Sequence, residues 1–172
     1  MLGRLDLLVI RHAIAEDRER FAATGQPDAL RPLTPRGVRK MERAACGLAW
    51  MAPRVSVLAS SPLVRAVETA RIVADALGLD GFEELRALVP GARPESLLEW
   101  LRARPGDGVA GVVGHEPHLG KLIAFLLDGG TRAFAELRKG GACLIGFEGA
   151  PAPAAGELRW LLTPSQLRAV RR

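Results

Sequence analysis

The sequence predicts an α/β fold: a three-layer sandwich with a mostly parallel central sheet, helices on both faces and a C-terminal antiparallel strand. Three short apolar runs without polar alternation are typical of parallel strands that are covered on both faces. Each run is followed by a helical pattern with a proline near its start. With 172 residues, 48% of them apolar, the chain can bury one good core, and we expect a single domain spanning residues 1–172.

The three apolar runs are expected to be neighbouring strands, and they cover Leu5–Ile10, Val55–Ala59 and Val109–Val113. Apolar residues recurring at spacings of three and four predict helices, with proline at the first helical position and glycine as a stop signal. These helices are Pro35–Trp50, Pro62–Leu77, the shorter Pro94–Leu101 and Pro117–Leu127. A Pro/Ala/Gly-rich turn at Gly149–Gly156 is expected to join two further strands, Ala142–Phe147 and Glu157–Leu162, as an antiparallel addition to the sheet.

The composition weakly favours an anionic ligand and argues against other partners. The formal net charge is +5, and almost all basic side chains are Arg. With no Tyr, three Trp and five Phe, the chain offers no stacking platform for nucleic acid, which we do not expect as a partner. No apolar run approaches the roughly 20 residues of a membrane span, and Met1–Arg11 lacks a secretory cleavage pattern, so no membrane partner and a cytoplasmic location are expected.

The cysteines and tryptophans are expected in the core. Cys46 and Cys143 lie far apart in sequence and form no metal-binding spacing, so we predict two reduced core residues and neither a disulfide nor a zinc site. Core positions are likewise predicted for Trp50, Trp100 and Trp160, while the oligomeric state stays open.

Residues suited to phosphate chemistry follow each of the three parallel strands. The first run ends in Arg11-His12, the second in Ser60-Ser61 with Arg65 shortly after it, and the third in Gly114-His115-Glu116. Because the carboxyl ends of parallel strands meet at one edge of a sheet, these side chains are expected to converge. Guanidinium groups grip phosphate oxygens bidentately and helix N-termini offer free N–H groups, so the expected ligand is a phosphoryl group.

His12 is predicted to be the nucleophile, because a neutral imidazole can accept a phosphoryl group and then lose it to water. Arg11, Arg65 and His115 would neutralise charge on the phosphoryl oxygens. An isolated strand-end histidine is more often a hydrogen-bonded packing residue, but two of the three histidines lie at such ends. His118 is expected to be a packing residue, and no metal or other cofactor is predicted, because no third ligand accompanies the two neighbouring histidines.

Three motifs, in this order, resemble those of the histidine phosphatase superfamily, which includes phosphoglycerate mutase. They are Arg11-His12-Ala13 for Arg-His-Gly, Ser61-Pro62-Leu63-Val64-Arg65-Ala66-Val67-Glu68-Thr69-Ala70 for Ser-x-x-x-Arg-Ala-x-x-Thr-Ala, and Gly114-His115-Glu116-Pro117 for Gly-His-x-Pro. The segment Asp28-Ala29-Leu30-Arg31-Pro32-Leu33-Thr34-Pro35-Arg36-Gly37 is similar to one that precedes the first helix of short, SixA-type phosphohistidine phosphatases. Ala13 replaces the glycine of the first motif, and the added methyl group would be strained at positive φ.

The resemblance implies a phosphoglycerate mutase-like fold and a metal-independent phosphatase with a phosphohistidine intermediate on His12. It also implies that Asp28 and Arg31 lie near the mouth of the pocket. Ser61 and Glu116, within the second and third motifs, complete the expected set of substrate-binding residues.

Larger members of the superfamily carry a helical insertion over the site, and a carboxylate from it acts as general acid. Here about fifty residues separate Arg65 from His115, which leaves little room for a lid. Several carboxylates are candidates for a general acid, and none is assigned: Glu83, Glu84, Asp28 and the Glu16-Asp17 pair. An imidazole leaving group needs such an acid less than an alkoxide does, and an open pocket would admit a histidine on another protein.

Three functions remain as hypotheses. The leading one is dephosphorylation of phosphohistidine on proteins. The second is hydrolysis of a small phosphomonoester such as a sugar phosphate or nucleotide, which a structured loop at Ala87–Leu98 over the pocket and an excess of positive charge would favour. The third is a catalytically silent phosphate-binding module, against which the intact motif residues weigh. A mutase would need a closed site that this chain is not expected to have.

Overall fold

A computed structural model describes residues 4–52, 55–104 and 108–170. It contains six strands, which are β1 (Leu5–Arg11), β2 (Val55–Ser60), β3 (Glu83–Glu84), β4 (Gly108–Gly114), β5 (Ala142–Phe147) and β6 (Gly156–Leu162). They form one sheet in the order β3-β2-β4-β1-β5-β6. Strand β4 pairs with β1 and with β2, and β2 pairs with β3, and all three pairs are parallel. Strand β5 is antiparallel to β1, and β6 is antiparallel to β5. The predicted mostly parallel sheet with an antiparallel C-terminal addition is confirmed.

In the described ranges six α-helices flank the sheet: α1 (Arg18–Ala22), α2 (Pro35–Met51), α3 (Val64–Leu77), α4 (Glu95–Arg102), α5 (His118–Asp128) and α6 (Pro164–Ala169). The start of α2 follows from its sequence, because Pro35 occupies the first turn and the Thr34 side chain accepts from the Gly37 N–H at 2.9 Å. Helix α3 ends at Gly78, which has a φ of +68° that glycine adopts without strain.

The alternation of side chains along β1 divides the interior into two apolar cores. Leu8 and Ile10 face one core, which they share with residues of α2, α3 and α6. Leu7 and Val9 face the other core, which contains residues of α4 and α5. Because successive strand residues point to opposite faces, one continuous apolar run supplies both cores. The three-layer α/β sandwich predicted from the sequence is therefore confirmed.

Proline does not occupy the first position of all the predicted helices. Helix α3 begins at Val64, two residues after Pro62, while α4 begins at Glu95 and α5 at His118, each one residue after its proline. At the first of these turns the Ser61 side chain accepts from the Leu63 N–H at 3.4 Å, so the chain bends before the helix starts. Proline therefore marks the turn that leads into these helices, and it occupies the first position in α2.

Two of the residues predicted in the core lie at the surface of α2. Cys46 is exposed, and Trp50 is 52% exposed. Both lie off the stripe that faces the sheet, where Met41, Ala45 and Leu48 are fully buried. The other cysteine, Cys143, is buried. The other two tryptophans are partly buried, Trp160 against the first core and Trp100 against the second.

Among the α-helices and strands of the described residues, three short elements have no counterpart in the sequence-based prediction, namely α1, α6 and β3. Each spans six residues or fewer, which is too short for an apolar stripe to build up. Among the described residues, no helix is long and apolar enough to cross a bilayer.

Candidate active site

His12 lies directly after β1, at the carboxyl edge of the sheet. Its backbone N–H donates to the Gly114 carbonyl of β4 at 3.0 Å, so the sheet itself fixes the position of this residue. The ring nitrogen Nδ1 lies 2.7 Å from the Ala13 carbonyl oxygen. Since a carbonyl can only accept, Nδ1 carries the proton in this contact, and Nε2 of the neutral ring keeps its lone pair. That lone pair makes Nε2 a competent nucleophile.

His115 follows β4, the strand that neighbours β1, and its ring faces that of His12. The ring centroids are 5.0 Å apart, and the planes are tilted by 53°. Nε2 of His115 contacts the Ser61 hydroxyl at 2.8 Å, and Ser61 itself is fully buried at the end of β2. The hydroxyl therefore holds the His115 ring and leaves its Nδ1 free to interact with another group.

Arg65, in the first turn of α3, is almost fully buried with a relative exposure of 2%. Its terminal nitrogens contact Asp28 twice, with 2.9 Å to the carbonyl oxygen and 3.1 Å to the carboxylate. The same carboxylate accepts from Arg31 Nε at 2.8 Å. Asp28 thus balances part of the positive charge and fixes the plane of the Arg65 guanidinium.

Arg11, the last residue of β1, is held by the loop that precedes β5. One of its terminal nitrogens donates to the Leu137 carbonyl at 2.6 Å and to the Glu136 carboxylate at 3.1 Å. The Glu136 side chain is 71% exposed, so it is the weaker of these two anchors.

Three buried nitrogens of this cluster have no hydrogen-bond partner in the described residues: Arg11 Nε, Arg65 Nε and His115 Nδ1. Buried polar atoms are nearly always hydrogen-bonded, so several unpaired nitrogens beside one histidine indicate that a ligand pairs with them. An anion with several oxygen acceptors, such as a phosphoryl group, would satisfy them. The cluster thus combines a free imidazole lone pair with unused donors for oxygen.

The pKa of both His12 and His115 is lowered to about 3 from an ordinary value of 6.5, mainly by burial. For His12, the hydrogen bond to the Ala13 carbonyl raises the pKa, while the charges of Arg65, Arg11 and Lys139 lower it further. At His115, the charge of Arg65 and the repulsion from a protonated His12 ring add to the effect of burial and lower the pKa further. Both rings are therefore neutral at pH 7, the state that a nucleophilic imidazole requires.

In phosphate-free protein, we expect the ring resonances of His12 and His115 to remain those of neutral imidazole from about pH 8 down to about pH 5. Isotope-edited NMR of the histidine rings measures this directly. The unfolded chain, with ordinary histidine pKa values near 6.5, binds more protons than the folded protein below that pH. The free energy of unfolding should therefore fall as the pH decreases from about 6.5 towards 3. A midpoint near 6.5 for His12 would contradict the assignment of a buried neutral ring.

The structure uses the remaining predicted site residues in contacts within the protein. Arg31, 6% exposed, donates to the Asp28 carboxylate and to the Glu16 carbonyl. Both oxygens of Glu116 accept backbone hydrogen bonds, from Gly120 at 3.0 Å and from Leu137 at 2.9 Å. Direct substrate contacts by these two side chains stay predictions.

Ala13, which replaces the family glycine, fits its site. In the described ranges the one non-glycine residue with positive φ is Ala154, so the backbone at Ala13 has an ordinary conformation. Its N–H donates to the Thr69 hydroxyl at 3.0 Å, and Thr69 in turn donates to the Arg65 carbonyl at 2.7 Å. These bonds tie the loop after β1 to α3.

Sequence reasoning assigned no role to Thr69, Glu136, Lys139 or Gly37. Thr69 and Gly37 both occupy positions of the family motifs, which is the signal that could have identified them. The structure shows why position 37 is glycine, because a Cβ there would lie 2.0 Å from the Ile14 carbonyl oxygen. That glycine lets α2 pack directly on the loop after His12. The loop between α5 and β5, which contains Glu136 and Lys139, has neither periodicity nor a motif to signal its role.

Buried His118, in the first turn of α5, lies near His115, and neither of its ring nitrogens has a partner among residues that the structure describes. Across the described ranges, no group of three or more His, Cys, Asp or Glu side chains is placed to hold a metal ion.

Among the candidate general acids, Glu83 pairs with Arg104, and Asp17 caps α1. The pKa of Asp28 is lowered by its arginine partners, against the opposing effect of burial, which makes this group a poor proton donor.

Comparison with known proteins identifies the family. The sequence model of one protein family, the histidine phosphatase superfamily (branch 1), matches residues 7–88. The phosphohistidine phosphatase SixA of Escherichia coli (strain K12) is 30% identical over 130 residues, which cover 74% of this chain and 77% of the relative. An uncharacterized protein of Picosynechococcus sp. is 32% identical over 140 residues, 80% of this chain and 82% of its own.

A solved structure of the protein histidine phosphatase SixA complexed with tungstate shares the fold. It superimposes with a TM-score of 0.80 at 24% identity and covers 94% of this chain and 99% of its own. The chain therefore belongs to the histidine phosphatase superfamily, in which it resembles the SixA type, and it is a phosphatase.

Proposed function

We propose that this phosphatase removes the phosphoryl group from phosphohistidine on proteins, with His12 as the nucleophile. The observation that carries the proposal is the arrangement of three open donors, Arg11 Nε, Arg65 Nε and His115 Nδ1, in one cluster with a neutral His12 whose Nδ1 is already engaged. An anionic, tetrahedral group fits such a set of donors.

In the first chemical step, His12 Nε2 attacks phosphorus, and the bond from phosphorus to the substrate imidazole breaks. The leaving imidazole takes a proton from solvent and departs neutral, which is why this substrate needs no strong enzyme acid. In the second step, water attacks phosphorus, the bond to Nε2 breaks, and inorganic phosphate leaves. The bond from Nδ1–H to the Ala13 carbonyl keeps Nε2 aimed at phosphorus in both steps.

Arg11, Arg65 and His115 bind the phosphoryl oxygens in this account. Charge spreads over these oxygens in the transition state, so donors fixed in advance stabilise it without reorganisation. For His115 to donate from Nδ1, its Nε2 accepts from the Ser61 hydroxyl, and Ser61 is a positioning residue. Asp28 positions Arg65 in the same sense.

The substrate assignment is supported by where the segment between α3 and β4 packs, since the family resemblance implies that a covering insertion would lie in this segment. The structured Ala87–Leu98 loop that would favour a small ester had to lie over the pocket, and here its leucines pack into the core. Leu88, Leu97, Leu98 and Leu101 are all buried in the core on the α4 and α5 face of the sheet. These contacts anchor the segment within the fold, which favours a pocket that a histidine on another protein can reach. The SixA relative carries the name of a phosphohistidine phosphatase.

The test compares phosphate release from a histidine-phosphorylated carrier protein with release from a panel of small phosphomonoesters, with a chelator present. We expect chelator-resistant release that is fastest from the carrier protein. Lys121→Gln, an exposed substitution on α5, serves as the control for surface charge and should retain this preference. Faster release from a small ester would refute the assignment to protein phosphohistidine.

A small phosphomonoester is the second candidate substrate, and the positive charge beside the pocket favours it. Lys139 lies close enough to lower the pKa of His12, and it lines a neighbouring cleft together with Lys40 and Arg168. These cations could bind the rest of a small anionic substrate. The same assay separates the two candidates by the identity of the preferred substrate.

A further inference from the structure

A second cleft lies beside the candidate active site, on the side of α2 and α6. The residues that follow His12, Ala13 and Ile14, line it, and so do three basic side chains, Lys40, Lys139 and Arg168. Its volume is about 100 Å³, enough for a carboxylate and part of the side chain that carries it. Because α2 and α6 both begin at the carboxyl edge of the sheet, the cleft opens near the mouth of the pocket.

The basic residues of this cleft lack acidic partners. None of Lys40, Lys139 and Arg168 forms an ion pair with a carboxylate in the parts of the chain that the structure describes. Lys40 and Arg168 line the same cleft, and the charges of Arg36 and Arg168 lower the pKa of Lys40. An anion bound among them would relieve this repulsion.

The cleft shares its backbone with the candidate active site. The N–H of Gly140, next to Lys139, donates to the carbonyls of Arg11 and His12, at 3.1 Å in each case. Lys139 therefore lies between the cleft and the pocket, and its charge reaches the His12 ring. A ligand in the cleft and a phosphoryl group in the pocket would be neighbours.

We propose that this cleft binds a carboxylate of the substrate protein, so that an acidic residue close to the phosphorylated histidine promotes its dephosphorylation. The inference rests on the proposed function. Lys40, Lys139 and Arg168 supply the charge for the carboxylate. Met41 and Pro164 supply an apolar wall for the methylene groups of a glutamate side chain.

Two histidine-phosphorylated peptides that differ only in Glu or Gln residues flanking the phosphohistidine test this site. At low ionic strength the Glu peptide should have a kcat/KM about fivefold higher than the Gln peptide, as expected for exposed ion pairs. The ratio should fall towards 1 in about 0.5 M salt, because salt screens exposed charges. In the double variant Lys40→Gln and Arg168→Gln, the ratio should be close to 1 even at low salt.

The matched control is the double variant Arg39→Gln and Arg43→Gln, which removes the same charge from exposed positions of α2 outside the cleft. It should keep the preference for the Glu peptide. Equal rates for both peptides in the unmodified protein would overturn the proposal, and so would a preference that survives the substitutions at Lys40 and Arg168.

Failure of the proposed function has a different signature, because then neither peptide is hydrolysed. Binding of the two unphosphorylated peptides, measured by fluorescence anisotropy, still decides about the cleft. Tighter binding of the Glu peptide that is lost in the Lys40 and Arg168 double variant supports it. NMR shifts of Lys40 and Arg168 on addition of inorganic phosphate, with equal binding of both peptides, would indicate a free-anion site and overturn it.

Discussion

Replacing His12 with alanine is expected to lower kcat/KM by at least about 10⁴-fold, because no other group can form the covalent intermediate. The fold should be retained, since the backbone bond from residue 12 to the Gly114 carbonyl does not depend on the side chain. Phosphate release from histidine-phosphorylated carrier protein and from a small phosphomonoester measures the loss, and thermal unfolding followed by circular dichroism checks the fold.

His118→Ala is the matched control for this substitution. It removes the same side chain from a nearby buried position, but one that we place outside the chemistry. Its effect on kcat/KM should stay below about tenfold, because no step in the account uses this ring. Activity of His12→Ala within tenfold of the unmodified protein would refute the nucleophile assignment, whatever the control shows.

Arg65→Ala is expected to lower kcat/KM by about 10³-fold, and Arg65→Lys by about 10²-fold. Lysine retains the positive charge opposite Asp28, but it cannot offer the planar set of donors that a guanidinium presents to both Asp28 and a phosphoryl oxygen. Steady-state kinetics on a small phosphomonoester measure both losses, and they should appear in kcat as well as in kcat/KM.

Arg31→Lys provides the comparison, because Arg31 pairs with the same Asp28 carboxylate. We expect a loss of less than about tenfold, since this side chain acts through Asp28 in the structure. If Arg31→Lys and Arg65→Lys had equal effects, the contribution of Arg65 would come from the charge network around Asp28. The open donor at Arg65 Nε would then have no part in binding phosphate.

The positions of His12 and His115 could be predicted from the sequence for a simple geometric reason. Each follows an apolar run that is too continuous to be a surface strand, and parallel strands place their carboxyl ends at the same edge. The adjacency of β1 and β4 then brings the two rings to 5.0 Å. Arg65 was predictable for a related reason, since a cation in the first turn of a helix is unfavourable unless an anion binds there.

Contacts between loops could not be predicted in this way. The bridge from Asp28 to Arg65 joins residues 37 positions apart, and the bond from Ser61 to His115 joins residues 54 apart. Hydrophobic periodicity does not predict such pairs, because the conformation of a loop depends on the tertiary packing around it. The loop that carries Glu136 and Lys139 escaped prediction for the same reason.

Two other features were predicted wrongly or missed, although the sequence contains the signals for them. Cys46 and Trp50 lie off the apolar stripe of α2, so helical spacing alone would have placed them at the surface. Helix α6 is short, but Thr163 and Gln166 form a reciprocal capping box at its start, and Pro164 occupies its first turn. That pattern is readable without a long apolar stripe.

If the phosphoryl group passes through His12 Nε2, a phosphorylated form of the protein exists during turnover and can be trapped. The protein is mixed with a phosphorylated substrate, quenched within milliseconds in alkali, in which phosphohistidine is stable, and digested for mass spectrometry. We expect a phosphoryl group on His12, none in His12→Ala, and a slower decay of the intermediate in Arg65→Lys. Steady turnover with no label on His12, or with the label on His115 or His118, would contradict it.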